Sequence, residues 1–239
     1  MSKSTFPGLP ADTQLFLHDL AANNNREWFD AHKPRYLASL KQPVEDLAAA
    51  VAAGLTRLNP AYGTEPRRAI FRIYRDTRFS SNKSPYKTNA GALFHHSALN
   101  KNDASAFYFE IAEKHVGVAG GVYMPGPDHL RLIRAHMLEH HERLAKLLKS
   151  KPLTSLMGGL QGEALARPPK GFPPDHPAIG LLKQKQWYFW RELDPALATS
   201  PKLVPEILKH FDKMLPVVEF FNEPLLAQKK RLAPLILDL

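Results

Sequence analysis

Apolar residues recur at helical spacing through the first quarter of the chain. In ADTQLFLHDLAAN, Leu15, Phe16 and Leu20 share one side behind Asp12, which predicts a helix capped by Asp12 and closed by Asn23. Asn24 and Glu27 have the spacing of a capping box, in which each side chain satisfies the other's backbone N–H, and they predict a second helix carrying Trp28, Phe29 and Tyr36. Pro34 and Pro43 each remove a backbone donor and divide the helical run into pieces. Pro43 then sits near the first turn of a piece that ends at about Leu58, so residues 1–58 form a helical layer.

Between 68 and 122 the period shortens. AIFRIYR, AGALFHH, SAFYFEIA and HVGVAGGVY are short, rich in β-branched and aromatic residues and separated by Asn, Gly, Ser and Lys, which predicts four consecutive strands in an antiparallel meander. Helical spacing returns at 126–149 through Leu130, Ile133, Met137, Leu144 and Leu148, behind Pro127 and Asp128 at the helix start. Residues 152–180 are dominated by proline and glycine and read as an extended connection along the surface. A last helix spans 203–230 with a bend at Pro216. The fold class is α+β: an antiparallel sheet of about four or more strands flanked by N-terminal, central and C-terminal helices, in a single domain of residues 1–239.

Composition narrows the chemistry. With 239 residues, 44% of them hydrophobic, the chain can bury a full core. The absence of cysteine excludes disulfides, thiol nucleophiles and Cys-based metal sites. The start MSKSTFPGLP has no apolar signal core, and LAAAVAAGL (47–55) is too short to span a bilayer, so a cytoplasmic protein with no membrane partner is expected. The net charge of +9 favours anionic partners.

Much of that charge lies in one place. Residues 65–88 hold seven basic residues (Arg67, Arg68, Arg72, Arg75, Arg78, Lys83, Lys87) against two acidic ones (Glu65, Asp76), a net +5 of the chain's +9. Strand alternation puts Phe71, Ile73 and Arg75 on one face and Arg72, Tyr74, Asp76 and Arg78 on the other. The loop TRFSSNKSPYK is longer than a tight hairpin needs and rich in hydroxyl, amide and cationic donors. The planar fork of arginine grips carboxylate or phosphate through two parallel hydrogen bonds, while lysine acts as a movable point charge. Arg72, Arg75, Arg78, Lys83 and Lys87 are therefore candidate ligands of a small phosphorylated or carboxylated anion. Tyr74 and Tyr86 add a phenol or stacking face, Asn25 and Trp28 a roof, and Asp76 and Tyr86 are a candidate base and acid. The competing reading pairs these arginines with Glu27, Asp30, Glu45 or Asp46 of the helical layer, as a clasp between helices and sheet. Nucleic acid and an acidic protein are the alternative partners.

Other matches are weaker. HMLEH (136–140) fits an inverted zinc-peptidase pattern, but the apolar stripe of its helix leaves His136 and His140 on the flank and Glu139 opposite, which reads as a solvated face with no metal. Ser80 and Ser84 each open a Ser-x-x-Lys tetrad without the companion motifs of a serine enzyme. Gly120 and Gly121 lack a phosphate-loop pattern and read as a strand bend and helix cap. Trp187 and Trp190 read as core or cover residues. No cofactor is indicated.

Two runs carry a family resemblance: Asn24, Asn25, Trp28 and Phe29, then Arg72, Ile73, Arg75, Asp76, Arg78, Phe79, Lys83, Pro85, Tyr86 and Lys87. Together with GGVYMPGPDHLRLIR and PPKGFPPDHPAIGLLKQK they make the chain resemble the microbial conserved hypothetical proteins grouped as domain of unknown function 2461. The resemblance covers most of the chain and implies no reaction, ligand or catalytic residue set.

Overall fold

The computed structural model of the chain describes residues 6–237, with side chains to Arg231. Helix α1 (Asp12–Ala22) closes at Asn23, whose N–H bonds Asp19 O at 3.0 Å. Asp12 does not cap it. The cap position is Ala11, and Asp12 lies in the first turn, where its carboxylate is taken by Arg35 and Ser39. Helix α2 (Arg26–Ala31) is capped by Asn25, which accepts from Trp28 N–H at 2.9 Å, and not by Asn24. The Asn24 amide instead meets the backbone of Tyr86. Helix α3 (Lys33–Tyr36) passes through a π turn at Leu37–Lys41 into α4 (Gln42–Leu58), with Pro43 in the first turn of α4. Helix α5 (Pro66–Ala69) comes next.

The sheet is antiparallel and four-stranded, in the order β1 (Asn89–His95), β2 (Ala106–Ala112), β3 (Val116–Val122), β4 (Trp187–Leu193). Three predicted strands are present. The fourth, AIFRIYR, is not a ladder strand: its backbone pairs only through the isolated bridges Ile70–Ala92 and Tyr74–Tyr86. Arg75 N–H donates to Pro85 O at 2.9 Å, but Pro85 has no N–H to return, so the ladder cannot continue there. The fourth strand of the sheet is β4, at the opposite edge beside β3, where Trp187 and Phe189 are buried and Tyr188 and Trp190 are half-buried, a period of two.

The predicted helix over 126–149 is two helices, α6 (Pro127–Glu139) and α7 (His141–Leu148), parted where His140 leaves helical geometry at φ −116°, ψ 30°. The proline-rich connection contains α8 (Lys151–Met157) and α9 (Ile179–Leu182), and between them Gln161 and Ala164 bridge to Tyr188 and Gln184. Helix α10 (Leu203–Leu237) is continuous past Pro216 and extends beyond the predicted end at 230.

The chain divides into two compact units. Of the described residues the first comprises 6–94, 108–118 and 192–209, and its buried side chains include Phe16, Leu20, Phe29, Leu47, Val51, Leu55, Phe94 and Phe109. The second comprises 95–107, 119–191 and 210–237, with Phe107, Ile133, Met137, Trp187, Phe211, Phe220 and Phe221 buried.

Candidate functional site

The segment 70–87 belongs to the first unit and doubles back on itself. Phe71 N–H donates to Gly91 O at 2.9 Å and Lys87 N–H to Ile73 O at 2.8 Å, so its two limbs are registered by backbone bonds. The tip is ordered by local side-chain bonds: Arg78 N–H to Asp76 Oδ1 at 3.2 Å, Lys83 Nζ to Thr77 O at 2.9 Å, and Ser84 N–H to Asn82 Oδ1 at 2.9 Å. Asn24 fastens the returning limb. Its Nδ2 donates to Tyr86 O and its Oδ1 accepts from Tyr86 N–H, both at 3.0 Å, a carboxamide matched to the two polar groups of one extended residue. Tyr86, 3% exposed, stacks on Phe29 at 4.0 Å and lies 5.4 Å from Tyr74. Burial, with Tyr74 and Asp30 nearby, pushes the Tyr86 phenol up despite Arg26.

Burial along 71–78 alternates as predicted: Ile73 is buried and Phe71 and Arg75 are half-buried, while Arg72, Tyr74, Asp76 and Arg78 are exposed. Arg78 is engaged. Its Nε and Nη2 grip the two oxygens of Asp76 at 3.0 and 2.8 Å, and this fork, with the Arg78 N–H, holds the Asp76 carboxyl down to about 2. A carboxylate so acidic and so occupied is a poor general base. Arg72 acts on Asp76 only through its field, and among the described residues no carboxylate pairs with Arg72 or Arg75. Lys87 is partly buried, with its ammonium 4.9 Å from the centre of the Phe71 ring; burial first, and Arg72 second, push it below the ordinary lysine value. The ion pairs within the helical layer are made by a different arginine: Arg35 bonds Asp12 at 2.6 and 2.8 Å and Asp19 at 2.7 Å, and it holds the Asp12 carboxyl down to about 2.

The remaining predicted residues have other principal contacts. Asn25 is spent on the α2 cap, and Trp28 stacks on His32 at 4.1 Å and approaches Phe16 at 5.8 Å. At the tip, Phe79 is 95% exposed with the Arg78 guanidinium 5.7 Å from its ring centre, and Tyr74 is 53% exposed.

The same unit holds a polar cluster that was not foreseen in the sequence. Glu110 of β2 accepts from Tyr108 Oη at 2.7 Å and Asn89 Nδ2 at 2.5 Å, and its other oxygen lies 2.8 Å from His115 Nε2. The Glu110 side chain is 12% exposed and His115 22%. Tyr108 is buried beside this carboxylate, and burial and then Glu110 push its phenol strongly upward, so it stays a donor. Gly91 makes the arrangement feasible, because a Cβ there would lie 2.5 Å from Tyr108 Oη and 2.8 Å from Phe109 O. The available signal was the alternation of β2: Phe107, Phe109 and Ile111 are fully buried, which turns Tyr108 and Glu110 to the other face.

In the second unit, His136 is not on a solvated face. Its side chain is 12% exposed, its ring packs 4.6 Å from Phe220, and Nε2 lies 3.1 Å from Glu223, which Arg143 also grips. The predicted stripe did not reveal α10 lying against that flank. A cleft of about 340 Å³ opens between Arg143 and Leu147 of α7 and Glu219, Glu223 and Leu226 of α10. Among the described residues no group of three or more His, Asp and Glu side chains is disposed to hold a metal ion, and no helix is long and apolar enough to cross a membrane.

Compared with known proteins, the chain matches one family model, that of the "Conserved hypothetical protein (DUF2461)", over residues 12–220. This span contains the 70–87 segment, Asn24 and the Glu110 cluster. No curated protein and no solved structure matches.

Proposed function

The chain belongs to the DUF2461 family of conserved hypothetical proteins, and from that premise we propose that its 72–87 segment binds a small phosphorylated or carboxylated anion. Arg72, Arg75, Lys83 and Lys87 supply the charge, Tyr74 and Tyr86 the aromatic wall beside it, and Asn24 the fastening that holds the limb in register. Asn25 is left to cap α2 outside the ligand contacts, Trp28 packs on His32 and Phe16 beside it, and Asp76 orients Arg78. One observation carries this reading: Lys87 is partly buried next to Arg72, the two repel, and among the described residues no carboxylate forms an ion pair with either, Asp76 acting on Arg72 only at a distance. Like charges gathered without a counterion destabilise the empty protein and are relieved by a bound anion. The test is melting temperature against phosphate, sulfate and citrate at constant ionic strength. Wild type is stabilised as a saturating function of the anion, and Arg72→Gln with Arg75→Gln abolishes that response without unfolding the chain. A wild type indifferent to all three anions refutes the reading.

A second reading, single-stranded nucleic acid, is favoured by Phe79 and Tyr74, exposed rings among cations that offer bases a stacking face. Binding of this kind weakens steeply with salt, by about 0.7 in the log–log slope for each phosphate neutralised on a single strand. An oligonucleotide titration at low salt that detects nothing removes it.

A further inference from the structure

The exposed face of the outgoing limb is a row of Arg72, Tyr74 and Asp76, with Arg78 beyond them. Alternate residues of an extended chain stand about 7 Å apart, so Arg72 and Asp76 flank Tyr74 with about 13 Å of backbone between them. The field of Arg72 reaches Asp76, in keeping with one shared face. Tyr74 packs its inner side against Tyr86, at 5.4 Å, and Phe29, at 6.3 Å, and turns its outer side to water. The backbone bridge between Tyr74 and Tyr86 fixes the chain under that ring. Arg78 does not exhaust Asp76. Its N–H and Nε both donate to Oδ1, whereas Oδ2 accepts only from Nη2. A carboxylate oxygen accepts about two hydrogen bonds, so Oδ2 keeps one acceptor position open on an exposed side chain. At the other end of the row Arg72 has no ion pair among the described residues. Lys87, pushed below the ordinary lysine value by burial and then by Arg72, lies within the field of that arginine.

Resting on the anion-binding reading, we propose that the ligand of this face is a nucleoside monophosphate, with its phosphate on Arg72 beside Lys87, its base stacked on the outer side of Tyr74, and an amino group on the far edge of the base donating to Asp76 Oδ2. The order of the row selects that class. A cation, a flat ring and an acceptor in line are matched by a ligand with an anionic end, a planar middle and a donor at the other end. The guanidinium fork of Arg72 suits the phosphate, and the face of Tyr74 suits any base, because every base has a π-face. Inorganic phosphate, a sugar phosphate or a short carboxylate meets the cations alone and leaves the ring in water. The acceptor on Asp76 then favours bases that carry an amino group. It also separates a single nucleotide from a strand. Asp76 sets a carboxylate beyond the stacked base, on the side from which a strand would bring its next phosphate, and Arg78, the cation beside it, is already spent on Asp76.

Three ligands are titrated into the full-length protein by calorimetry: AMP, purine riboside 5′-phosphate, which lacks the amino group, and ribose 5-phosphate, which lacks the base. The Tyr74 ring resonances are followed by NMR. AMP binds about five- to a hundredfold more tightly than ribose 5-phosphate and shifts the Tyr74 resonances with saturation. Purine riboside 5′-phosphate binds about tenfold more weakly than AMP, having lost a hydrogen bond to a charged acceptor. Tyr74→Leu removes the preference for AMP over ribose 5-phosphate, and Asp76→Ala the preference for AMP over purine riboside 5′-phosphate. If ribose 5-phosphate binds wild type as tightly as AMP and the Tyr74 resonances stay in place, the nucleotide inference is wrong while the anion site stands. Equal affinity for AMP and purine riboside 5′-phosphate refutes the Asp76 contact and with it the proposed orientation. An oligonucleotide that binds where AMP does not gives the face to a strand instead. If none of the three ligands binds and phosphate does not stabilise wild type, the anion site falls and this inference with it. Should either variant fail to fold, the wild-type ligand series alone decides.

Discussion

Replacing Asn24 by alanine removes both hydrogen bonds between its carboxamide and the backbone of Tyr86 while leaving every charge of the 72–87 segment in place. Each bond is 3.0 Å long and partly buried. A neutral hydrogen bond of this kind contributes about 0.5 to 1.5 kcal/mol net, so the pair is worth about 1 to 3 kcal/mol. For a chain of this length each kcal/mol moves the melting temperature by about 2 to 4 °C. Asn25→Ala is the matched control. It removes one exposed helix cap, about 1 kcal/mol, and does not touch the returning limb. Asn24→Asp keeps the acceptor for Tyr86 N–H but sets a carboxylate against Tyr86 O, so it loses at least as much as alanine. The assay is urea denaturation of the three variants with and without phosphate. Asn24→Ala and Asn24→Asp lose stability and also respond less to phosphate, because the limb carrying Lys87 is no longer held in register, whereas Asn25→Ala loses stability alone. If Asn24→Ala costs under about 0.5 kcal/mol and keeps the full phosphate response, Asn24 does not fasten that limb.

In the second unit Asn222, 1% exposed, makes the same reciprocal pair of bonds with Ser105, at 2.8 and 2.9 Å. Because these groups are fully buried, Asn222→Ala leaves a backbone donor and acceptor unsatisfied and costs about 2 to 5 kcal/mol in a denaturation experiment. The Asp12 carboxyl, held down to about 2 by Arg35 and Ser39, contributes stability that is fully present above the ordinary aspartate value near 3.9 and is lost as pH falls through about 2. Arg35→Gln therefore flattens the acid limb of melting temperature against pH between about 4 and 2. Arg78→Gln and Lys83→Gln, both at the exposed tip, leave the melting temperature in buffer unchanged, and a fall of many degrees in both would mark the tip as a structural clasp.

The helical layer was legible because its signals are local. Prolines at 34 and 43, the C-terminal Asn23 and the apolar spacing of α4 each act within a turn or two. What local signals could not decide was which of two adjacent asparagines caps α2, since either reaches a free N–H. The choice was made by Tyr86, 62 residues away from Asn24 in sequence. Strand β4 was missed because aromatic residues occupy both of its faces, which hides the alternation that burial of Trp187 and Phe189 makes plain. AIFRIYR has strand composition but pairs opposite Pro85, a feature of the partner and not of the run itself. At the site, the gathering of cations was visible in the sequence, as was the alternation that exposes Arg72 and Arg78. The pairing of Asp76 with Arg78 and the assembly of Asn89, Tyr108, Glu110 and His115 depend on register between strands, which no single stretch of the chain encodes.

The most direct measurement is the titration of Lys87 itself. With lysine labelled at 13Cε and Lys87 assigned by substitution to arginine, its ammonium is followed between pH 7 and 12 with and without phosphate at constant ionic strength. Burial and Arg72 depress it in the empty protein, so a bound anion beside it must move its titration upward. An upward shift that saturates with phosphate is the result predicted, and a Lys87 titration that phosphate leaves unchanged contradicts the anion site.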